Sequence, residues 1–146
     1  MKSCFLLVLS VILVIAQGEK LTLDEAKARM FNHVQDCAGE VTATKDDIEQ
    51  LLKLSVPETS TGKCLVACVY KKVGWIQDGK YNSEAKMNSF KKVHEDEPEK
   101  LEKFAKISKD CESEANGADE CEMAANAMIC GTRMAKEQKL LEEIPI

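Results

Sequence analysis

The residues of this chain most able to take part in chemistry are six cysteines at defined intervals. They lie at Cys37, Cys64, Cys68, Cys111, Cys121 and Cys130. Thiols at such intervals either form disulfide bonds or bind a metal such as zinc. An even number of cysteines in a small chain with a secretion signal is typical of a disulfide framework, because an oxidising compartment consumes the thiols. We therefore expect three disulfide bonds and no metal site.

The N-terminal residues 1–18 read as a signal peptide. Lys2 supplies the positive charge, the stretch from Phe5 to Ala16 is almost entirely apolar, and small residues follow. A seventh cysteine, Cys4, lies inside this segment and would be removed with it. The apolar run is shorter than the roughly 20 residues of a membrane-spanning helix, although a retained membrane anchor is the alternative. The sequence thus predicts a secreted, extracellular domain over residues 19–146, without stable membrane insertion.

Other residues offer little catalytic chemistry. The chain has two histidines, His33 and His94, and neither belongs to a zinc-protease helix, a serine-nucleophile motif or the His-Asp pair of a disulfide-rich phospholipase. The acidic runs lack the spacing of a calcium-binding loop. With a net charge of −5, the chain has no basic patch to neutralise phosphates. We predict no enzyme activity, no cofactor and no nucleic-acid partner.

The elements that must position the cysteines are helices. Apolar residues recur every three or four positions, which places them on one face of a helix. Six helices are predicted, with Thr44 capping the second, Ser60 beginning the third and Pro98 opening the fifth. The fourth runs from about 83 to 94, with Met87, Phe90 and Val93 on one side.

Two connections are less regular. The fifth helix is expected to close at Asn116-Gly117. Asp78-Gly79 predicts a tight turn after the third helix. We prefer a simple turn to the alternative of a β-hairpin there, because the flanking residues do not alternate between apolar and polar.

Helix geometry restricts the disulfide pairing. Cys64 and Cys68 are four apart on one helix, so their Cβ atoms are roughly 5–6 Å apart, whereas a disulfide needs about 3.8 Å. Cys121 and Cys130 are about 13.5 Å apart along a continuous helix. Six cysteines allow fifteen pairings, and excluding these two bonds leaves ten.

The chain resembles the insect odorant-binding proteins of the six-cysteine, pheromone-binding type. The resemblance rests on the leader, the six helices, the spacings Cys64-x3-Cys68 and Cys121-x8-Cys130, and the segment from Cys68 to Asn82. It implies an all-α, compact six-helix domain with three interlocked disulfides that enclose a hydrophobic cavity. It also implies one pairing among the ten, which is Cys37–Cys68, Cys64–Cys121 and Cys111–Cys130.

The resemblance further implies a function. Such a protein is a secreted carrier that binds small hydrophobic molecules such as odorants or pheromones non-covalently, and transports them through aqueous sensillum lymph to odorant receptors. The candidate ligand-binding residues are apolar side chains from the second to sixth helices, their connections and the tail at residues 139–146. They are Leu51, Leu52, Val69, Val73, Trp75, Ile76, Met87, Phe90, Val93, Phe104, Ala124, Met128, Ile144 and Ile146.

Several alternatives stay open at the level of sequence. The same fold could serve as a scavenger of lipophilic ligands in a non-olfactory secretion, or as an interaction or defence protein with a filled core. The tail could line the pocket or fray as chain ends do. Trp75 and Tyr81 could orient an alcohol or aldehyde, His33 or His94 could make binding pH-dependent, and the protein could be a monomer or a weak homodimer.

Overall fold

The computed structural model describes residues 19–146, and the predicted signal peptide at residues 1–18 lies outside the described residues. The helices and strands follow one another in this order: α1 (Leu23–Val41), α2 (Lys45–Leu52), α3 (Ser60–Lys72), β1 (Ile76–Gln77), β2 (Lys80–Tyr81), α4 (Ser83–His94), α5 (Pro98–Asp110), α6 (Glu120–Glu137) and the short 3-10 helix η1 (Leu141–Glu143). Within residues 19–146, none of the helices combines the length and apolar character needed to cross a membrane.

The helices begin where the sequence places hydrogen-bonding caps. The Thr44 side chain accepts a hydrogen bond from the backbone N–H of Asp47, and the Asp47 carboxylate accepts one from the Thr44 backbone N–H. This reciprocal arrangement satisfies N–H groups that have no partner within the helix. Pro98 opens α5, where a missing N–H costs nothing. The predicted starts of α2, α3 and α5 are confirmed.

Three disulfides tie the helices together in the pairing that the resemblance implies. Cys37–Cys68 joins α1 to α3, Cys64–Cys121 joins α3 to α6, and Cys111–Cys130 joins the end of α5 to α6. Every bond therefore involves α3 or α6, and these two helices form the centre of the domain.

The prediction of a simple turn at Asp78-Gly79 is wrong, because the chain forms a small β-hairpin there. Ile76 pairs with Tyr81 and Gln77 with Lys80 in an antiparallel register. Asp78 and Gly79 have φ values of 51° and 71°, and two consecutive positive φ values are typical of the turn that best fits a hairpin. Strands of two residues are too short to show the alternation expected of a strand.

Two helix predictions also need correction. α5 ends at Asp110 and not at Asn116-Gly117, because the chain turns at Cys111, whose sulfur is bonded to α6. The buried face of α4 contains Lys86, Phe90 and His94, whereas the predicted neighbours of Phe90 are only half-buried. Positions 86, 90 and 94 are four apart and lie on one helix face.

Residues 19–146 form two apolar core clusters. One lies between α1, α3 and α6, and the other between α4, α5, the end of α6 and the tail. A row of aromatic rings connects them, with ring centroids 6.2 Å apart for Trp75 and Phe90 and 4.2 Å apart for Phe90 and Phe104. The last two rings are nearly parallel, and such contacts add to the free energy gained by burial.

The junction between α2 and α3 is held by the buried carboxylate of Asp47. Its oxygens accept hydrogen bonds from the Thr44 backbone N–H (2.9 Å) and hydroxyl (2.8 Å), from the Thr59 hydroxyl (2.5 Å) and from the Thr61 hydroxyl (3.0 Å). These bonds lower the pKa of Asp47 to about 2, with the Thr59 hydroxyl the largest contributor. One side chain therefore fixes the start of both helices.

Gly62→Ala is expected to destabilise the protein by about 1–3 kcal/mol, as overpacked cores do. A Cβ at Gly62 would lie 2.2 Å from Pro57 Cβ and 2.7 Å from the Asp47 carboxylate. Gly39→Ala in α1 is the matched control, because nothing lies within 4 Å of its added Cβ, and it should stabilise by about 0.5–1 kcal/mol. Urea unfolding of both variants measures the two changes in the free energy of unfolding. Equal changes in the two variants would contradict the prediction.

Candidate functional site

A cavity lies between α3, α4, α5, α6 and the tail. Its volume is about 20 Å³, which is room for about one water molecule. Binding pockets for small organic molecules are usually about 300–1,000 Å³. The cavity is therefore nearly filled by the protein's own side chains in this conformation, and a ligand must displace some of them.

Six of the sequence-predicted ligand-binding residues line this cavity. They come from the segment after α3, from α4, α5 and α6, and from the tail, and are Trp75, Phe90, Phe104, Met128, Ile144 and Ile146. The three aromatic rings are those of the row described above, so one side of the row faces the cavity.

The other predicted residues lie elsewhere. Val73 and Val93 line a groove on the far side of Trp75, and Leu52 lines an outer groove beside the tail. Met87 packs against the cluster around α5. The remaining four lie in the core cluster around α3 and α6, and they are Leu51, Val69, Ile76 and Ala124.

Sequence reasoning missed eight residues of the cavity lining. They are Leu54, Tyr70, Lys86, Ile107, Ser108, Gly131, Thr132 and Ala135. Ile107 had a signal, because it lies three residues after Phe104 on the apolar stripe of α5. Lys86 also had a sequence signal, because it precedes Phe90 by one helical turn. A lysine is, however, usually assigned to the solvent face of a helix. We find no comparable signal for Leu54, which lies in a connection.

The tail folds back onto the helices and closes one side of the cavity. The backbone carbonyl of Glu143 lies 3.2 Å from His94 Nε2, and the Glu143 carboxylate lies 3.0 Å from Lys100 Nζ. Lys27 Nζ donates to the carbonyl of Glu142 at 3.1 Å. These contacts hold η1 in place, so that Ile144 next to it is buried.

An outer groove of about 650 Å³ lies on the other side of the tail from the cavity. Four residues, Leu54, Thr132, Ile144 and Ile146, line both the cavity and the groove. They form the partition between the two, and we call them the shared wall. Three of the four are only partly buried. Displacing the shared wall would join the cavity and the groove into one space.

The polar groups of the site are few. Trp75 Nε1 donates to Ser89 Oγ at 2.9 Å, so this group is already engaged within the protein. Burial lowers the pKa of Lys86, which lines the cavity, to about 8, and burial raises the pKa of Tyr70. Between residues 19 and 146 there is no cluster of three or more His, Cys, Asp or Glu side chains that could hold a metal ion.

Comparison with known proteins places this chain in a family. The PBP/GOBP family model matches residues 19–133. General odorant-binding protein 28a of Drosophila melanogaster is 33% identical over 118 residues, which cover 80% of this chain and 82% of that protein.

Solved structures agree with this assignment. The structure of that Drosophila protein superimposes with a TM-score of 0.72 at 32% identity, over 82% of this chain and 99% of its own. A pheromone-binding protein of the cockroach Leucophaea maderae, solved in complex with the fluorescent reporter ANS, has a TM-score of 0.64 at 30% identity, over 79% and 98% of the two chains. On the family match, the sequence identity and the shared fold, this chain belongs to the PBP/GOBP family of odorant-binding proteins.

Proposed function

We propose that this protein is a secreted, non-catalytic carrier that binds one small hydrophobic molecule at a time in its internal cavity. The observation that carries the proposal is the shared wall. It separates a buried cavity lined mainly by apolar side chains from an open groove of about 650 Å³. The carrier would deliver its ligand through an aqueous fluid, such as sensillum lymph, to a membrane receptor.

Ligand binding would require the wall to move, because the cavity itself holds only about 20 Å³. The tail provides two of the wall residues, and its hydrogen bonds lie mainly near the surface, where water can replace them. A third wall residue, Leu54, lies in the short connection after α2. A small outward shift of these segments would expose Phe90 and Phe104 to an incoming apolar molecule.

The relatives support the proposal through what their names record. The Drosophila relative is named an odorant-binding protein, and the cockroach protein was solved with an organic reporter bound. The small volume of the cavity favours one competing function, which is that of an interaction protein with a filled core. Binding measurements separate the two.

The test is titration of the refolded mature protein with N-phenyl-1-naphthylamine, an uncharged apolar fluorescent probe. We expect saturable one-to-one binding in the micromolar range. Ile146→Asp should weaken binding at least about tenfold, because it places a charge in the shared wall. Phe31→Asp is the matched control, since Phe31 is 47% exposed on α1 and lines no part of the cavity.

Two outcomes would contradict the proposal. If the folded protein does not bind the probe, the filled-core alternative is favoured. If the two variants weaken binding equally, the ligand binds elsewhere on the surface. Circular dichroism and urea unfolding of each variant establish that both are folded.

A further inference from the structure

Lys86 is an unusual residue for the wall of an apolar cavity. It lies on α4 one turn before Phe90 and is only 7% exposed. Its Nζ lies 5.1, 5.6 and 5.8 Å from the ring centroids of Trp75, Tyr70 and Tyr81. Three aromatic rings thus surround the ammonium group, and their electron-rich faces attract it.

Within the part of the chain that the structure describes, no anion balances this charge. Among the described residues 19–146, burial alone accounts for the lowered pKa of Lys86, and no carboxylate pairs with its Nζ. With a pKa of about 8, the group is still mostly protonated at neutral pH. An unpaired buried charge is costly, and lysines in such positions are rare.

Two further polar groups nearby also lack partners. Within the described part of the chain, Ser108 Oγ and Tyr81 Oη are buried and form no hydrogen bond. Ser108 lines the same cavity as Lys86, and the Tyr81 ring is one of the three around the ammonium. Buried polar atoms without partners are uncommon in folded proteins, and each one needs an explanation.

The backbone of α6 keeps space beside the ammonium. A Cβ added to Gly131 would lie 3.3 Å from Lys86 Nζ, a closer approach than side chains normally make. Glycine at this position therefore leaves room next to the Lys86 ammonium group.

We propose that Lys86 binds the head group of an acidic ligand, pairing with the carboxylate of an aliphatic carboxylic acid while Ser108 donates a second hydrogen bond. The apolar chain of the acid would extend along Phe90 and Phe104 towards the shared wall. A carboxylate is favoured over an alcohol because lysine offers donors only, and an ionised acceptor makes the stronger hydrogen bond. The inference rests on the proposed function, since it assigns the ligand class of that same cavity.

The experiment compares ligands that share one chain length but differ in head group. Dodecanoate, methyl dodecanoate and dodecanol are titrated by calorimetry at pH 7 into wild type, Lys86→Met and Lys91→Met. Lys91→Met is the matched control, because it removes a charge from the exposed side of the same helix. The uncharged naphthylamine probe is titrated in parallel, so that loss of the cavity is distinguished from loss of head-group recognition.

We expect wild type to bind dodecanoate at least about tenfold more tightly than the ester or the alcohol, as a charge-assisted bond implies. Lys86→Met should remove this preference, whereas its affinity for the uncharged probe should change less than about threefold. Lys91→Met should behave as wild type. The affinity of wild type for dodecanoate should also fall as pH rises above 8, because Lys86 then loses its proton.

Several results would overturn the inference. One is equal affinity of wild type for the acid and the ester, and another is a preference for the acid that survives in Lys86→Met. If Lys86→Met does not fold, Lys86→Gln provides the same comparison, and the wild-type comparison of acid with ester needs no variant. The protein could bind dodecanoate in a manner that depends on Lys86 and yet not bind the uncharged probe. The proposed binding of hydrophobic molecules in general would then be wrong, and the inference about acidic ligands would stand.

Discussion

The double variant Cys64→Ala/Cys121→Ala is expected to lose about 4 kcal/mol of its free energy of unfolding. The bond closes a loop with a sequence separation of 57 residues, and restricting the unfolded chain over such a loop contributes about this much. Both cysteines are only partly buried, so alanine removes little packing. The loss therefore reports mainly on the cross-link.

Urea unfolding at neutral pH measures this difference directly. Cys64–Cys121 joins α3 to α6, and these helices carry Tyr70 and Met128 of the cavity lining. Weaker binding of the naphthylamine probe should therefore accompany the loss of stability. A loss below about 1 kcal/mol, or free thiols at 64 and 121 in the oxidised wild-type protein, would refute the expected contribution.

Local chemistry explains which elements could be predicted from the sequence. Thr44 and Pro98 act within one helical turn of themselves, so they are visible in a short window of residues. The disulfide pairing was different, because helix geometry left ten possibilities and only the resemblance to a family selected one. Pairing depends on how distant helices pack, and a local pattern does not contain that information.

The cavity lining was less predictable for a physical reason. Residue type identifies apolar faces, but whether an apolar residue borders a cavity or fills the core depends on the angles between helices. Phe104 borders the cavity and Val69 lies in the core, although both are apolar residues on helix stripes. Lys86 was missed because its charge argues for exposure, and only its spacing from Phe90 argued for burial.

The conformation of the tail also could not be predicted from its sequence alone. Its sequence is apolar at both ends, which fits either a lining segment or a frayed terminus. The contacts that hold it, from His94, Lys100 and Lys27, come from three different helices. A pH switch through His33 or His94 stays a prediction. His94 contacts the tail through the Glu143 carbonyl.

Asp47→Ala is expected to destabilise the protein by about 3 kcal/mol at neutral pH, because hydrogen bonds to a buried charged group are worth about 1.5–3 kcal/mol. The variant leaves the Thr44 N–H and the hydroxyls of Thr59 and Thr61 without their acceptor. Asp46→Ala is the matched control, since Asp46 is exposed in the same helical turn. Urea unfolding of the two variants should differ by at least about 1 kcal/mol.

The pH dependence of wild type provides a second test of Asp47. Its pKa is lowered from 3.8 to about 2 by folding, so the unfolded state binds more protons between these values. The contribution of Asp47 is therefore fully present above pH 4 and is lost as pH falls towards 2. Integrated over the shift, the loss is about 2 kcal/mol. Asp47→Ala should show a shallower decline over this range than Asp46→Ala does.

The same carboxylate bears on ligand access, because its hydrogen bond from the Thr59 hydroxyl holds the α3 end of the connection that carries Leu54 of the shared wall. Releasing that connection should leave the aromatic row intact but loosen the partition between cavity and groove. We therefore expect Asp47→Ala to bind and release the naphthylamine probe faster than Asp46→Ala does, as measured by stopped-flow fluorescence at neutral pH. Unchanged rates in a folded Asp47→Ala protein would mean that the tail alone controls access, and that the connection after α2 is a fixed part of the cavity.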